Sequence, residues 1–108
     1  MREALESGYR AFVTADHGQI DGRGVGMPNV GKVPEDRSKR VLVFGSEATR
    51  DSFGGYGDVD FQPMTVPTGT AALFARYGDS FDQAGASSFS HGGCSIEEVM
   101  VPFVELTR

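Results

Sequence analysis

The 108-residue chain holds one cysteine, two histidines and no long apolar run, and each scarcity narrows what it can be. A single cysteine cannot close an internal disulfide, which excludes a disulfide-stapled scaffold and suits a reducing cytoplasm. No stretch approaches the ~20 apolar residues of a membrane span. The opening Met1-Arg2-Glu3-Ala4-Leu5-Glu6 has no apolar signal-peptide core. Basic charge is short as well: a formal net charge of -5 argues against bulk electrostatic binding of nucleic acid. Bound divalent cations would offset that charge locally, so an acidic chain can still present a positive site. Neither an internal repeat nor a low-complexity segment is present.

Glycine, by contrast, is abundant. Its 15 positions are about twice the ~7% share of average proteins, which predicts much loop. The length allows one domain at most, with a real core. Arg2 to Ser7 reads as helix stopped by Gly8. Tyr9 to Ala15 is a near-continuous apolar run with β-branched and aromatic members, the pattern of a strand covered on both faces in a parallel sheet. Gly18 to Asp36 shows no periodicity and reads as one long loop.

Arg40-Val41-Leu42-Val43-Phe44-Gly45 predicts a second strand, and Ser46 can cap a short helix reaching about Phe53. Phe61 to Val66 and Thr70 to Tyr77 are further strand candidates, the latter with helix-tolerant alanines. Asp79 to Ser90 reads as polar loop. Ser95-Ile96-Glu97-Glu98 is a capping box that starts a helical turn ahead of a final strand over Val99 to Val104. Pro102 cannot donate to a ladder and belongs near a strand start, a bulge or a sheet edge. Helix, glycine and buried strand together are α/β punctuation.

Chemistry concentrates where Phe12-Val13-Thr14-Ala15-Asp16-His17-Gly18 ends its apolar run. Open α/β sheets bind ligands beyond the carboxyl ends of their strands. A carboxylate beside an imidazole suits Zn²⁺ and similar ions, and Gly18 permits a sharp turn or a close approach. Asp-His-Gly also reads as a loop aspartate capping amides beside a surface histidine. His91, within Ser90-His91-Gly92-Gly93, is a second candidate ligand or a second surface histidine. Cys94 makes an H-x-x-C spacing with His91, but a small buried packing role suits it better. Arg37, Lys39 and Arg40, with Arg23 and Lys32 nearby, form a basic cluster for phosphate contact or a solvated approach to the second strand. Asp58 and Asp60 have the chemistry of metal ligands, but Gly-Asp turns are common and they are not counted among the candidates.

Taken together, Phe-Val-Thr-Ala-Asp-His-Gly and Phe-Ser-His-Gly-Gly-Cys-Ser-Ile-Glu-Glu-Val-Met-Val-Pro resemble the C-terminal half of a PglZ domain. That family belongs to the alkaline phosphatase superfamily and is best known from BREX bacteriophage-defence systems. The Arg-Ser-Lys-Arg-Val-Leu-Val-Phe and Val-Pro-Thr-Gly-Thr-Ala-Ala-Leu-Phe segments extend the resemblance through nearly the whole chain. It implies an α/β fold, the C-terminal part of an alkaline-phosphatase-like sheet flanked by helices, with long loops. It also implies a two-metal site, usually zinc, with Asp16 and His17 on the metal that activates the nucleophile and His91 on the other. Two such ions ~3.5–4 Å apart clamp both oxygens of an in-line displacement.

The family's upstream carboxylate, its Ser or Thr nucleophile and its further Asp/His ligands would precede Met1. Cys94 stands where the family usually has an aliphatic residue. The expectation for residues 1–108 is therefore one partial domain. It would belong to a cytoplasmic phosphatase or phosphodiesterase acting on a phosphate ester, a nucleotide or nucleic acid, with little or no turnover alone. The alternative is a non-catalytic interaction module docking to other defence proteins, and a truncated reading frame is the blandest reading. An open sheet edge would favour pairing with another chain, including a second copy.

Overall fold

The computed structural model describes residues 1–29, 31, 34, 36–58 and 67–107. Its elements run α1 (Arg2–Glu6), β1 (Ala11–Thr14), β2 (Ile20–Gly24), β3 (Asp36–Arg37), β4 (Val41–Phe44), α2 (Glu47–Asp51), a 3₁₀ turn (Gly54–Tyr56), β5 (Ala71–Phe74), β6 (Asp79–Ser80), β7 (Ser87–Ser90), α3 (Ile96–Val99) and β8 (Phe103–Leu106). The chain is mixed α/β, with small sheets and short helices. The strand expected over Phe61 to Val66 lies outside the described residues, as do Asp60 and Lys32.

The core is built on β4 and β5, paired antiparallel with Leu42 opposite Leu73 and Phe44 opposite Ala71. Leu42, Phe44, Phe53 and Leu73 are fully buried, joined by Ala75 and Phe81. Full burial of a Leu or Phe side chain is worth roughly 1.5–3 kcal/mol, so this cluster is the stable centre of the chain. The helix Glu47–Asp51 forms under the cap expected of it, Ser46 Oγ accepting the Thr49 N–H at 3.2 Å. It returns Phe53 against Phe44, with ring centroids 4.9 Å apart. The ambiguous segment from Thr70 resolves as strand, because β4 offers it a ladder.

Two loop expectations are corrected. Ile20–Gly24 is a strand with alternating burial, and its inner positions are Ile20, Gly22 and Gly24. Glycine fills that inner face because there is no room: a Cβ on Gly22 would stand 3.1 Å from the Ser80 Cβ, and one on Gly24 would collide with the Gln83 carbonyl. Apolar alternation is thus invisible in the sequence. The segment read as polar loop before Ser90 supplies both of β2's partners, β6 and the serine-rich β7.

The buried parallel strand is corrected too. Ala11–Thr14 pairs antiparallel with Phe103–Leu106 as a two-stranded ribbon. Phe12 is 49% and Phe103 is 71% exposed. The run is apolar enough to be covered on both faces, but α1 buries no residue and lays no cover over it. Among the described residues, parallel pairing is confined to the short β2–β6 ladder. Pro102 sits immediately before β8, at a strand start as expected.

Candidate metal centre

The ladder between β2 and β7 brings the two candidate segments near each other. Ile20 stands opposite Ser90 in its register, so the turn that precedes β2 faces the residue that follows β7. Those are His17-Gly18 and His91. Their imidazoles stack with centroids 3.8 Å apart and planes inclined by 19°.

Around His17 the contacts are local. Asp16 Oδ1 accepts the His17 main-chain N–H at 3.0 Å, and His17 Nδ1 lies 2.7 Å from the Gly18 carbonyl oxygen. A carbonyl only accepts, so Nδ1 is the donor in this contact, and the tautomer that makes it has its lone pair on Nε2. Asp16 Oδ2 lies 3.6 Å from that Nε2. Bonds of ~2.0–2.2 Å at a tetrahedral angle place two zinc ligands roughly 3.4 Å apart, so the two donors stand near the spacing that one ion needs. Both side chains are open to solvent, His17 43% and Asp16 88% exposed.

A scaffold that sequence reading placed only as a helix cap holds both loops. The Glu98 main-chain carbonyl accepts the Gly18 N–H at 2.8 Å. Its carboxylate accepts the Gly93 N–H at 2.9 Å, the Ser95 N–H at 3.2 Å and the Ser95 hydroxyl at 2.7 Å. Arg40 then donates Nε to Oε1 at 2.9 Å and Nη2 to Oε2 at 3.0 Å. The two side chains are 2% and 1% exposed. Burial pushes the Glu98 carboxyl up, but the bonds from Arg40, Ser95 and Gly93 outweigh it and hold it at about 2, against an ordinary 4.5. Gly18 has to be glycine here, because a Cβ would collide with the Glu97 carbonyl oxygen.

The basic cluster is corrected by the same contacts. Arg40 is a buried strut, with Nη1 also donating to the Arg76 and Asp79 carbonyls. Lys39 pairs with Asp82 at 2.7 Å and donates to Ser88, and its hydrogen bond leads the causes that lower Asp82 to about 2. Arg37 and Lys39 line an open concavity of about 420 Å³ with Met27 and Phe81. Cys94, expected to pack, is exposed. It joins no ligand set, since no group of three or more His, Cys, Asp or Glu is arranged to hold a metal ion among the described residues.

The facing imidazoles, with a carboxylate alongside, put the candidate site at strand–loop junctions of a mixed α/β protein. The family model of the BREX system PglZ alkaline phosphatase-like domain matches residues 1–106, and the chain belongs to that family. No curated protein and no solved structure matches the chain. No helix among the described residues is long and apolar enough to cross a membrane.

Proposed function

We propose that the chain is the C-terminal part of a metal-dependent phosphatase or phosphodiesterase of bacteriophage defence, and that it brings metal-binding side chains to a site whose nucleophile lies elsewhere. The observation that carries the reading is the stacked pair His17–His91, with Asp16 Oδ2 beside His17 Nε2. Near-parallel stacked rings keep their lone pairs in two separate, nearly parallel planes, which suits one ion per imidazole better than a shared ion. Asp16 and His17 would hold one metal and His91 the other. Zinc in such a pair supplies charge neutralisation at the attacking and leaving oxygens of a phosphate ester.

The donors fit that role in chemistry and are too few in number. A catalytic zinc normally takes three protein ligands, and this chain offers two to one ion and one to the other. The remaining ligands and the nucleophile would come from the rest of the PglZ domain. The exposed β1–β8 ribbon supports its seat beside the site, because β1 leads directly into Asp16. Nucleotides and nucleic acids are the substrates proposed, with other defence proteins as partners and the cytoplasm as location.

Zinc titration of the purified chain by calorimetry tests the assignment. Weak binding is expected in wild type, reduced in His17→Ala and in His91→Ala. Hydrolysis of a generic phosphodiester should be negligible for the chain alone. Metal-dependent turnover by the chain that disappears in Asp16→Ala would overturn the division of labour, and zinc binding untouched by both histidine variants would favour a non-catalytic interaction module.

A further inference from the structure

Both loops that carry the imidazoles are fastened to Glu98. Its main-chain carbonyl receives Gly18, next to His17, and its carboxylate receives Gly93, two residues past His91. Arg40, at the start of β4, grips both carboxylate oxygens and ties them to the carbonyls of Arg76 and Asp79. The stacked imidazoles therefore take their relative position from one buried residue anchored to the core sheet. We infer that Glu98, held by Arg40, is a positioning residue that sets the His17–His91 geometry; the effect on metal binding rests on the proposed ligand roles of those histidines.

The chemistry of the carboxylate makes this specific. Oε1 faces two N–H donors, from Gly93 and Arg40, and Oε2 faces Arg40 together with the N–H and hydroxyl of Ser95. Glutamine has the same shape but carries an amide NH₂ on one side. Whichever way it turns, that group meets at least two N–H donors and cannot accept from them. Glu98→Gln should thus loosen α3 and both loops while the apolar core around Phe44 and Phe53 persists.

Proton NMR of the 108-residue chain reads this directly. In wild type a nuclear Overhauser contact is expected between the His17 and His91 rings, together with one between Phe44 and Phe53 as a marker of the intact core. In Glu98→Gln the histidine contact should vanish while the phenylalanine contact stays. Zinc affinity should fall roughly 10- to 100-fold, as when groups that orient metal ligands are removed. Retention of the histidine contact with unchanged zinc affinity overturns the inference.

Should Glu98→Gln lose both contacts, Gly93→Ala decides. Its Cβ would stand 2.6 Å from Oε2 and 2.8 Å from Oε1. It would displace the carboxylate from one loop and leave Arg40 its partner, and the same two readings apply. A wild-type histidine contact without zinc binding sinks the metal-site reading, and the positioning role is then judged on the ring contact alone. No histidine contact in wild type sinks the positioning role, and the zinc titration still judges the site.

Discussion

At the scale of single residues, the Arg40–Glu98 pair combines a structural and a functional demand. Two charges taken out of water are expensive unless every remaining donor and acceptor is satisfied, and here five bonds converge on one carboxylate. Removing one partner of such a pair costs about 3–5 kcal/mol, enough to threaten a small domain. The sign with pH follows from the lowered carboxyl. Its folded value of about 2 lies below the ordinary 4.5, so the stabilisation is complete above about pH 4.5 and is lost as pH falls toward 2. Thermal melts should show a falling Tm across that window. Glu98→Gln should melt lower at pH 7 and decline less below pH 4.5, keeping the part due to Asp82, which titrates in the same range beside Lys39. A variant curve parallel to wild type throughout would refute the assignment. The capping-box spacing made Glu98 legible as a helix start, but its partner lies 58 residues away in sequence. No local pattern links them.

Among the elements, the β1–β8 ribbon is the one whose sequence and environment disagree. Phe12 and Phe103 stack at 5.4 Å, and Val13 and Val104 are 42% and 46% exposed. An aromatic pair of this kind adds only ~0.5–1.5 kcal/mol beyond its burial, too little to explain why a chain would keep four apolar side chains in water. Side chains alternate along a strand, so the register leaves Phe12 with Phe103 exposed on one face of the ribbon and Val13 with Val104 on the other, surface on which another chain segment is expected to dock. Without that cover, the purified chain is expected to self-associate. The double variant Phe12→Ser, Phe103→Ser should shift it toward monomer in concentration-dependent light scattering, with zinc binding retained. Equal association in both proteins would remove the ribbon as a docking face. β2 and β7 teach the opposite lesson. Their pairing brings His17 and His91 together, yet glycines on one strand and serines on the other carry no hydrophobic signature, so both read as loop.

For the whole molecule, the radius of gyration is 18.3 Å with extents of 60 × 34 × 19 Å, where a compact 100-residue domain has ~13 Å. The chain is thus more extended than a compact domain, with its buried apolar cluster on β4, β5, Phe53 and Phe81 and the β1–β8 ribbon forming a separate sheet. Hydrogen exchange should divide it accordingly. Amides of Val41–Phe44 and Ala71–Phe74 should exchange slower than those of Ala11–Thr14 and Phe103–Leu106, by on the order of tenfold or more. Uniform protection would mean that the ribbon is part of the cooperative unit. By itself the sequence determined the elements with strong local signals: the β4 run, the Ser46 and Ser95 helix starts, and the Asp-His-Gly and His-Gly-Gly motifs that carry the family resemblance. It also supplied the three candidate ligands Asp16, His17 and His91. Only tertiary structure decided that β2 pairs with β7, that the two imidazoles stack, that Arg40 is a buried strut rather than a surface charge, and that β1 is exposed. Local signals come from steric and hydrogen-bonding preferences within a few residues. Pairing, burial and the fate of a charge depend on which distant segments supply the other half of each contact.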